Sequence, residues 1–480
     1  MYKFTYPAEQ WDESALDKNI ILSLIIKHHS MIAIKKKNKQ YYNGDHEILS
    51  RKREKNAPNS KVLCNHAKDI SDTASGYFMG TPITYSNTGE HDIAPLLKVF
   101  DDANIDDVDS DNALEASVIG IAYEYVYVKE GESSPTSKNI SALNTFMIYD
   151  DTIEENELAA VYYYPKKNDA KDIVTWVATV VTANFKYLLN IENIPNVSQT
   201  VTESPKEHYF GAVPIIEYLN NKEGIGDFEQ QIPLIDAYNM LMSDRVNDKE
   251  QFIDALLVLY GVILGDDEDE TSEAVKRLKE EKLLEVPRDA KAEYLTRQMD
   301  ENGAEILRKA LKEDIYMFSH VPNFSDENFV GNSSGVAMEY KLLGLEMLTK
   351  VKERNYRKGI RKRIQLYCNF LGMKAIALEA GSIVPSFSRS LPKNLQELAG
   401  IVYNLKDMVS IKTLLKLLPF VEDPDFEIEE VQKQADENIK RQQELFNSSP
   451  NTPPEEEIVL DAENEEDTES AGKAPAEKKE

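Results

Sequence analysis

From Pro233 to Tyr260 the chain runs without glycine or a second proline, and its middle is the polar stretch Ser243-Asp244-Arg245-Val246-Asn247-Asp248-Lys249-Glu250-Gln251. Apolar residues at Ile235, Tyr238, Leu241, Met242, Val246, Phe252, Ile253, Leu256 and Leu257 keep a helical spacing on either side of it. The pattern predicts a helix from Asp227, or from Pro233 as a first-turn proline, to about Tyr260. Its centre is too polar for the middle of a core. A packed shaft with one exposed side fits, and a lone copy would be hard pressed to satisfy it.

What flanks the shaft limits the fold further. Gly261–Gly265 reads as a short β-like segment, and Asp266–Glu270 as an acidic run before a charged helix around Ser272–Lys282. Leu283–Val286 and Glu293–Leu295 fit short strands, and a second helix spans about Glu301 to Phe318. Two helices around a small insertion make a stalk with a compact tip. Pro322–Gly335 is a loop, crowded by Asn323, Ser325, Gly331, Asn332, Ser333 and Ser334. Val336–Leu371 is then one long helix, broken in composition only by Gly344 and Gly359.

Before the shaft, the period differs. Ile20–Ile34 reads as helix, Lys35–Lys55 as a basic, turn-prone stretch, and Asn65–Tyr77 as a helix closed by Gly76 or Gly80. From Ser117, Ile119, Ile121, Tyr123, Tyr125 and Tyr127 alternate as in a strand. Phe146–Tyr149, Ala159–Tyr164, Ile173–Val181 and Phe185–Leu189 continue a β-rich antiparallel unit, the last two forming a hairpin around Ala183-Asn184. After the long helix come three short ones: around Leu395–Leu405, from Ser410 to Pro419, and from Asp423-Pro424 to about Gln443. Beyond Phe446 the chain is rich in Pro, Glu and Ser, a composition of disorder. The fold class is α+β, mainly helical.

Composition narrows the function. The 480 residues suggest roughly two to four domains or sub-domains. A net charge of −29 argues against a general DNA binder, since holding phosphates takes surplus Lys and Arg. Cys64 and Cys368 form no paired motif, which argues against a zinc site or disulfide framework and fits a reducing cytoplasm. No apolar run reaches the roughly 18 residues of a membrane span, and no signal-peptide pattern appears. Phosphate-loop, nucleophile-elbow and zinc-protease motifs are missing, and Gly224-Ile225-Gly226 lacks the third glycine of a dinucleotide fingerprint. His28-His29 and Cys64-Asn65-His66 read as helix packing rather than metal chelation. No cofactor and no metal are expected. Asp266, Asp267, Glu268, Asp269 and Glu270 lack the ligand spacing of a calcium loop and read as a solvated acidic tip.

One charge cluster reverses the trend. Lys350–Arg363 holds eight basic residues against the single acid Glu353: Lys350, Lys352, Arg354, Arg357, Lys358, Arg361, Lys362 and Arg363. They cannot all share one helix face. Pairing with acidic neighbours across a subunit contact is the first reading, and contact with DNA phosphates the second.

The order of these parts resembles the portal proteins of tailed phages, in particular those of long-tailed phages of Gram-positive bacteria. The resembling stretches are Tyr41-Tyr42-Asn43-Gly44-Asp45-His46, Ala74–Ile83, Ile232–Asn239 with Ser243–Asp248, and Gly331–Ala337, within roughly residues 38 to 446. The resemblance implies a portal-type fold assembling as a ring of about twelve subunits. Residues 1–226 would be an N-terminal and β-rich wing, 227–260 the first stem helix, 261–298 the clip, and 299–321 the second stem helix. Residues 322–392 would be the tunnel loop and the long helix returning to the wing, 393–446 a helical crown, and 447–480 a disordered acidic tail.

It further implies a DNA channel at one capsid vertex, used in packaging, head–tail joining and ejection, with no enzymatic activity. The protein would be assembled in the host cytoplasm and reside in the virion. Double-stranded DNA would pass without sequence reading, against the tunnel-loop residues Asn332, Ser333, Ser334, Gly335 and Lys341. The acidic run Asp266–Glu270 would dock partners at the clip. Lys350, Lys352, Arg354, Arg357 and Arg361 would make subunit or DNA contacts. The implied partners are the terminase large subunit, a head-completion or adaptor protein, and the major capsid and scaffolding proteins, with no membrane. Two other classes compete: a metal-dependent nucleic-acid enzyme, and an acidic protein-binding scaffold.

Overall fold

A computed structural model describes residues 3–54, 57–167, 173–191, 200–202, 204–253, 256–260, 267–281, 291–295, 301–324, 335–389, 395–418, 421 and 424–447. The chain divides into two compact units, Met1–Pro392 and Lys393–Glu480. Helical residues far outnumber strand residues, in a mixed α+β architecture.

The first unit opens with α1 (Lys18–Met31), α2 (Ala33–Tyr42), α3 (His66–Met79), α4 (Ala94–Asp102) and α5 (Ile105–Ile119). After the β-rich part come α6 (Ile232–Ile253), α7 (Glu268–Glu281), α8 (Glu301–Ser319) and the 39-residue α9 (Gly335–Met373). The second unit holds α10 (Leu395–Leu405), α11 (Ile411–Leu415) and α12 (Pro424–Asn447). Ser410 caps α11 by accepting from the Thr413 amide, and Leu414 is its buried residue. That helix stops at Leu415, short of the expected Pro419, and α12 runs four residues past Gln443. The acidic segment beyond Asn447 lies outside the described residues.

The larger sheet runs β1 (Phe4–Tyr6), β5 (Thr145–Asp150), β6 (Glu157–Lys167), β7 (Ile173–Val181), β8 (Phe185–Ile191) and β10 (Lys206–Glu207), with β9 (Thr200–Thr202) also on β8. Among the described residues only the β1–β5 pairing is parallel; the hairpin of β7 and β8 brackets Ala183-Asn184 as the sequence suggested. A second sheet orders β11 (Ile215–Leu219), β3 (Ile121–Val128) and β4 (Pro135–Ile140). Two short pairs complete the set: β2 (Thr84–Asn87) with β14 (Ile383–Ser386), and β12 (Leu256–Tyr260) with β13 (Lys291–Leu295).

Several boundaries differ from the sequence reading. Lys35–Tyr42 is helical, and the turn is confined to Asn43-Gly44, where Gly44 takes φ +87. Ser117–Ile119 finish α5 rather than opening a strand. Gly120 makes the switch: its φ of +90 ends the helix, and a Cβ there would lie 2.2 Å from the Gly224 carbonyl oxygen. The shaft helix ends at Ile253, not Tyr260; Leu256–Tyr260 is a strand in register with Leu295–Lys291. Leu, Val and Tyr in a five-residue run satisfy either period, and the cross-strand partner 35 residues on decides it. The expected strand Leu283–Val286 and the β-like segment Gly261–Gly265 lie outside the described residues.

The candidate functional site around the stem and the long helix

The polar centre of α6 is a docking ladder. Asn239, Ser243 and Asn247 stand four residues apart and are fully buried. Asn239 Oδ1 accepts from the Cys64 amide at 2.8 Å, Ser243 Oγ from the Val62 amide at 3.0 Å, and Asn247 Oδ1 from the Ser60 amide at 2.7 Å. Four helical residues advance about 6 Å and two extended residues about 6.6 Å, so a polar side chain per turn matches every second amide of an extended segment. The neighbouring polar residues are also taken. Asp244 accepts from Arg51 and Arg53, and Arg245 spans to Glu305 and Glu301 on α8, each at 3.0 Å. Arg308 and then Arg245 hold the Glu305 carboxyl down to about 2. Much of the shaft's polar centre is thus met within the chain, while Asn247 Nδ2 stays buried without a partner among the described residues.

Two of the resembling stretches meet here. The Tyr41 hydroxyl donates to Asp236 at 2.7 Å, and its ring stacks on His46 with centroids 4.4 Å apart. His46 Nε2 lies 2.9 Å from the Tyr41 carbonyl and Nδ1 3.0 Å from Asn239 Nδ2. The carbonyl can only accept, which assigns the proton to Nε2 and leaves Nδ1 to accept from the amide.

The long helix α9 is pinned to the sheets by buried charge. Arg363 is fully buried; its Nε and Nη2 donate to Glu124 at 2.9 and 2.6 Å, and Nη2 donates to Asp109 at 2.6 Å. The Tyr218 hydroxyl adds a bond to Glu124 at 2.6 Å. Burial drives the Asp109 carboxyl up to about 6 despite the arginine. One helical stretch earlier, Lys352 is buried against Asp227, whose other oxygen accepts from Asn220 at 2.8 Å. Gly359 lets α9 lie close to β11, since a Cβ there would fall 2.3 Å from the Tyr218 ring.

These pins sort the basic cluster. Lys352 and Arg363 are buried, Lys362 pairs with Glu157, and Arg357 with Glu353 at 2.7 Å. All four work inside the chain, and the exposed Lys350 pairs with Glu346 at 3.7 Å, so the reading of the cluster as one contact surface narrows to Arg354, Lys358 and Arg361, which are exposed. Of the tunnel-loop residues, Asn332, Ser333 and Ser334 lie outside the described residues, Gly335 is the first residue of α9, and Lys341 sits half-buried in its second turn. Of the acidic run, Asp266 lies outside the described residues. Asp267 precedes α7 and accepts from the Glu270 amide at 2.8 Å; Glu268, Asp269 and Glu270 form the first turn, and all four are exposed. Acids suit the positive end of a helix dipole, which is why this helix begins four residues before the expected Ser272.

Among the described residues no group of three or more His, Cys, Asp or Glu is placed to hold a metal ion, and no helix is long and apolar enough to cross a membrane. His28 packs instead against Phe146, 2.8 Å from the Tyr163 hydroxyl. Sequence reasoning missed the Arg363 and Asp227 pins, whose partners are more than 100 residues away. The ladder had a signal, the four-residue spacing of Asn239, Ser243 and Asn247.

Residues 22–441 match the family described as "Phage portal protein, SPP1 Gp6-like". The chain is similar to the portal protein of Bacillus phage SPP1, 22% identical over 427 residues, covering 86% of this chain and 83% of the relative. It is also similar to the portal protein of Clostridium phage phiCD119, 27% identical over 339 residues, covering 67% and 72%. With a match over most of its length, the chain belongs to the SPP1 Gp6-like phage portal protein family, structural and non-enzymatic proteins that form the DNA channel at the capsid vertex of the virion.

Proposed function

We propose that about twelve copies of this chain close into a ring with α6 and α8 as its stem, the segment between them as the clip, and the loop before α9 at the channel constriction. The observation that carries this reading is the α6–α8 pair, locked by Arg245 to Glu301 and Glu305 and followed in the chain by the 39-residue α9. On this reading residues 1–226 are the wing, 261–298 the clip, 322–392 the tunnel loop and returning helix, and 393–446 the crown. The clip's exposed acids dock the terminase large subunit during packaging and a head-completion or adaptor protein afterwards. The wing meets the major capsid and scaffolding proteins.

The acidity serves the channel. A duplex that slides must be held weakly, because each roughly 1.4 kcal/mol of site depth slows escape about tenfold. Polar residues such as Asn332, Ser333 and Ser334 touch the backbone without reading bases. Ser334→Trp tests the loop. Rings should form normally by electron microscopy, while packaging stops with terminase ATPase still running. Full-length genomes packaged at the normal rate would remove the loop from the constriction.

A further inference from the structure

α9 turns one continuous face to solvent. Tyr340, Leu343, Met347 and Val351 follow at steps of three and four residues, and Arg354, Lys358 and Arg361 extend the same stripe. All seven are exposed, Tyr340 at 75% and Met347 at 63%. The first half is apolar and the second cationic. Arg354, Lys358 and Arg361 have no ion-pair partner among the described residues, in contrast to Lys352, Lys362 and Arg363 on the inner side.

A second face has the opposite need. Asp101 and Asp102 end α4, and Asp106, Asp107 and Asp111 lie on α5. All five are exposed and none is in an ion pair among the described residues, Arg363 acting on Asp106 only from a distance. Burial and then the neighbouring Asp107 and Asp101 push the Asp106 carboxyl upward. The dipole of α5 accounts for Asp106 and Asp107 in its first turn but not for the other three.

The two faces cannot meet within one copy. Arg363 points at Asp109 on α5, and Arg361, two residues earlier, stands about 200° away around the helix. A head-to-tail repeat satisfies both faces at once, and every copy then uses each face once. We infer that the outward face of α9 seats on a second copy of this chain, with Arg354, Lys358 and Arg361 against the acidic face of α4 and α5 of that copy. This rests on the ring reading. The apolar half of the stripe favours a protein surface over DNA, since a phosphate backbone offers nothing to bury against Tyr340, Leu343 or Met347.

The test is a charge swap in the full-length chain, read by native mass spectrometry and mass photometry across protein and salt concentration. The triple variant Arg354→Glu/Lys358→Glu/Arg361→Glu should raise the concentration at half-assembly by at least about tenfold, as like charges then face each other. So should Asp101→Lys/Asp106→Lys/Asp107→Lys. Combining the two should restore rings toward wild type, which misfolding of either variant alone could not do. Wild-type assembly by either single set, or failure of the combined set to recover, overturns the inference and leaves the ring intact. Normal rings with altered DNA packaging in the Arg354 set would assign the stripe to DNA, against the inference. A wild-type chain that stays monomeric overturns the ring reading and this inference with it.

Discussion

Arg363→Met isolates a fully buried charge cluster. The guanidinium is fully buried between Asp109 and Glu124, with three of its contacts at 2.9 Å or less. Removing it leaves two carboxylates facing each other in the core, and breaking a buried pair from one side costs about 3–5 kcal/mol. At an m-value near 3 kcal/mol/M, that loss lowers the urea midpoint by roughly 1 to 2 M at pH 7.5. The pH dependence carries the mechanism. Asp109 is held up at about 6, above its ordinary 3.8. The folded state therefore binds this proton more tightly than the unfolded chain, and its contribution to stability falls as pH rises through that window. Without the arginine Asp109 holds its proton more tightly still, so the deficit should be largest above pH 7 and shrink toward pH 5.5. Adding Asp109→Asn and Glu124→Gln should recover most of it at pH 7.5. Urea titrations at fixed protein concentration, followed by tyrosine and tryptophan fluorescence, measure this. A deficit under about 1 kcal/mol, or one that stays constant between pH 7.5 and 5.5, would refute the reasoning.

Three further expectations follow from the same contacts. Asn239→Leu or Asn247→Leu should cost about 1–3 kcal/mol by orphaning a backbone amide, and hydrogen exchange should speed up at Cys64 or Ser60 respectively; unchanged exchange at those amides would remove the ladder. Gly120→Ala should destabilise by more than about 1 kcal/mol, because it meets the Gly224 carbonyl at 2.2 Å as well as an unfavourable φ, whereas Gly131→Ala, also at positive φ but in open space, should cost less; equal thermal shifts would contradict this. Truncation after Asn447 removes a segment whose last 31 residues carry eleven acids against three lysines, and rings should still assemble by mass photometry; a folded variant that remains monomeric would give the tail a part in assembly.

What was legible in the sequence was mostly local. The helix cap at Ser410, the Asn43-Gly44 turn, the β7–β8 hairpin and the length of α9 all depend on residues within a few positions of each other, and the structure has them. The family was legible as well, because the order of short stretches survives where any single motif is weak. Leu256–Tyr260 was misread because an apolar run of five suits a helix end and a strand equally, and only Lys291–Leu295 can choose. The polar centre of α6 was read as a demand for solvent or another subunit. Composition shows that a side chain needs partners, but the chain trace alone brings the amides of Ser60, Val62 and Cys64 beside it. The basic helix divided in the same way: its charge was evident from the sequence, yet Asp109, Glu124, Asp227 and Glu157 decided which cations turn inward. Charge and periodicity are properties of a segment and can be read from it, whereas burial and pairing belong to two segments at once and exist only after the chain has folded.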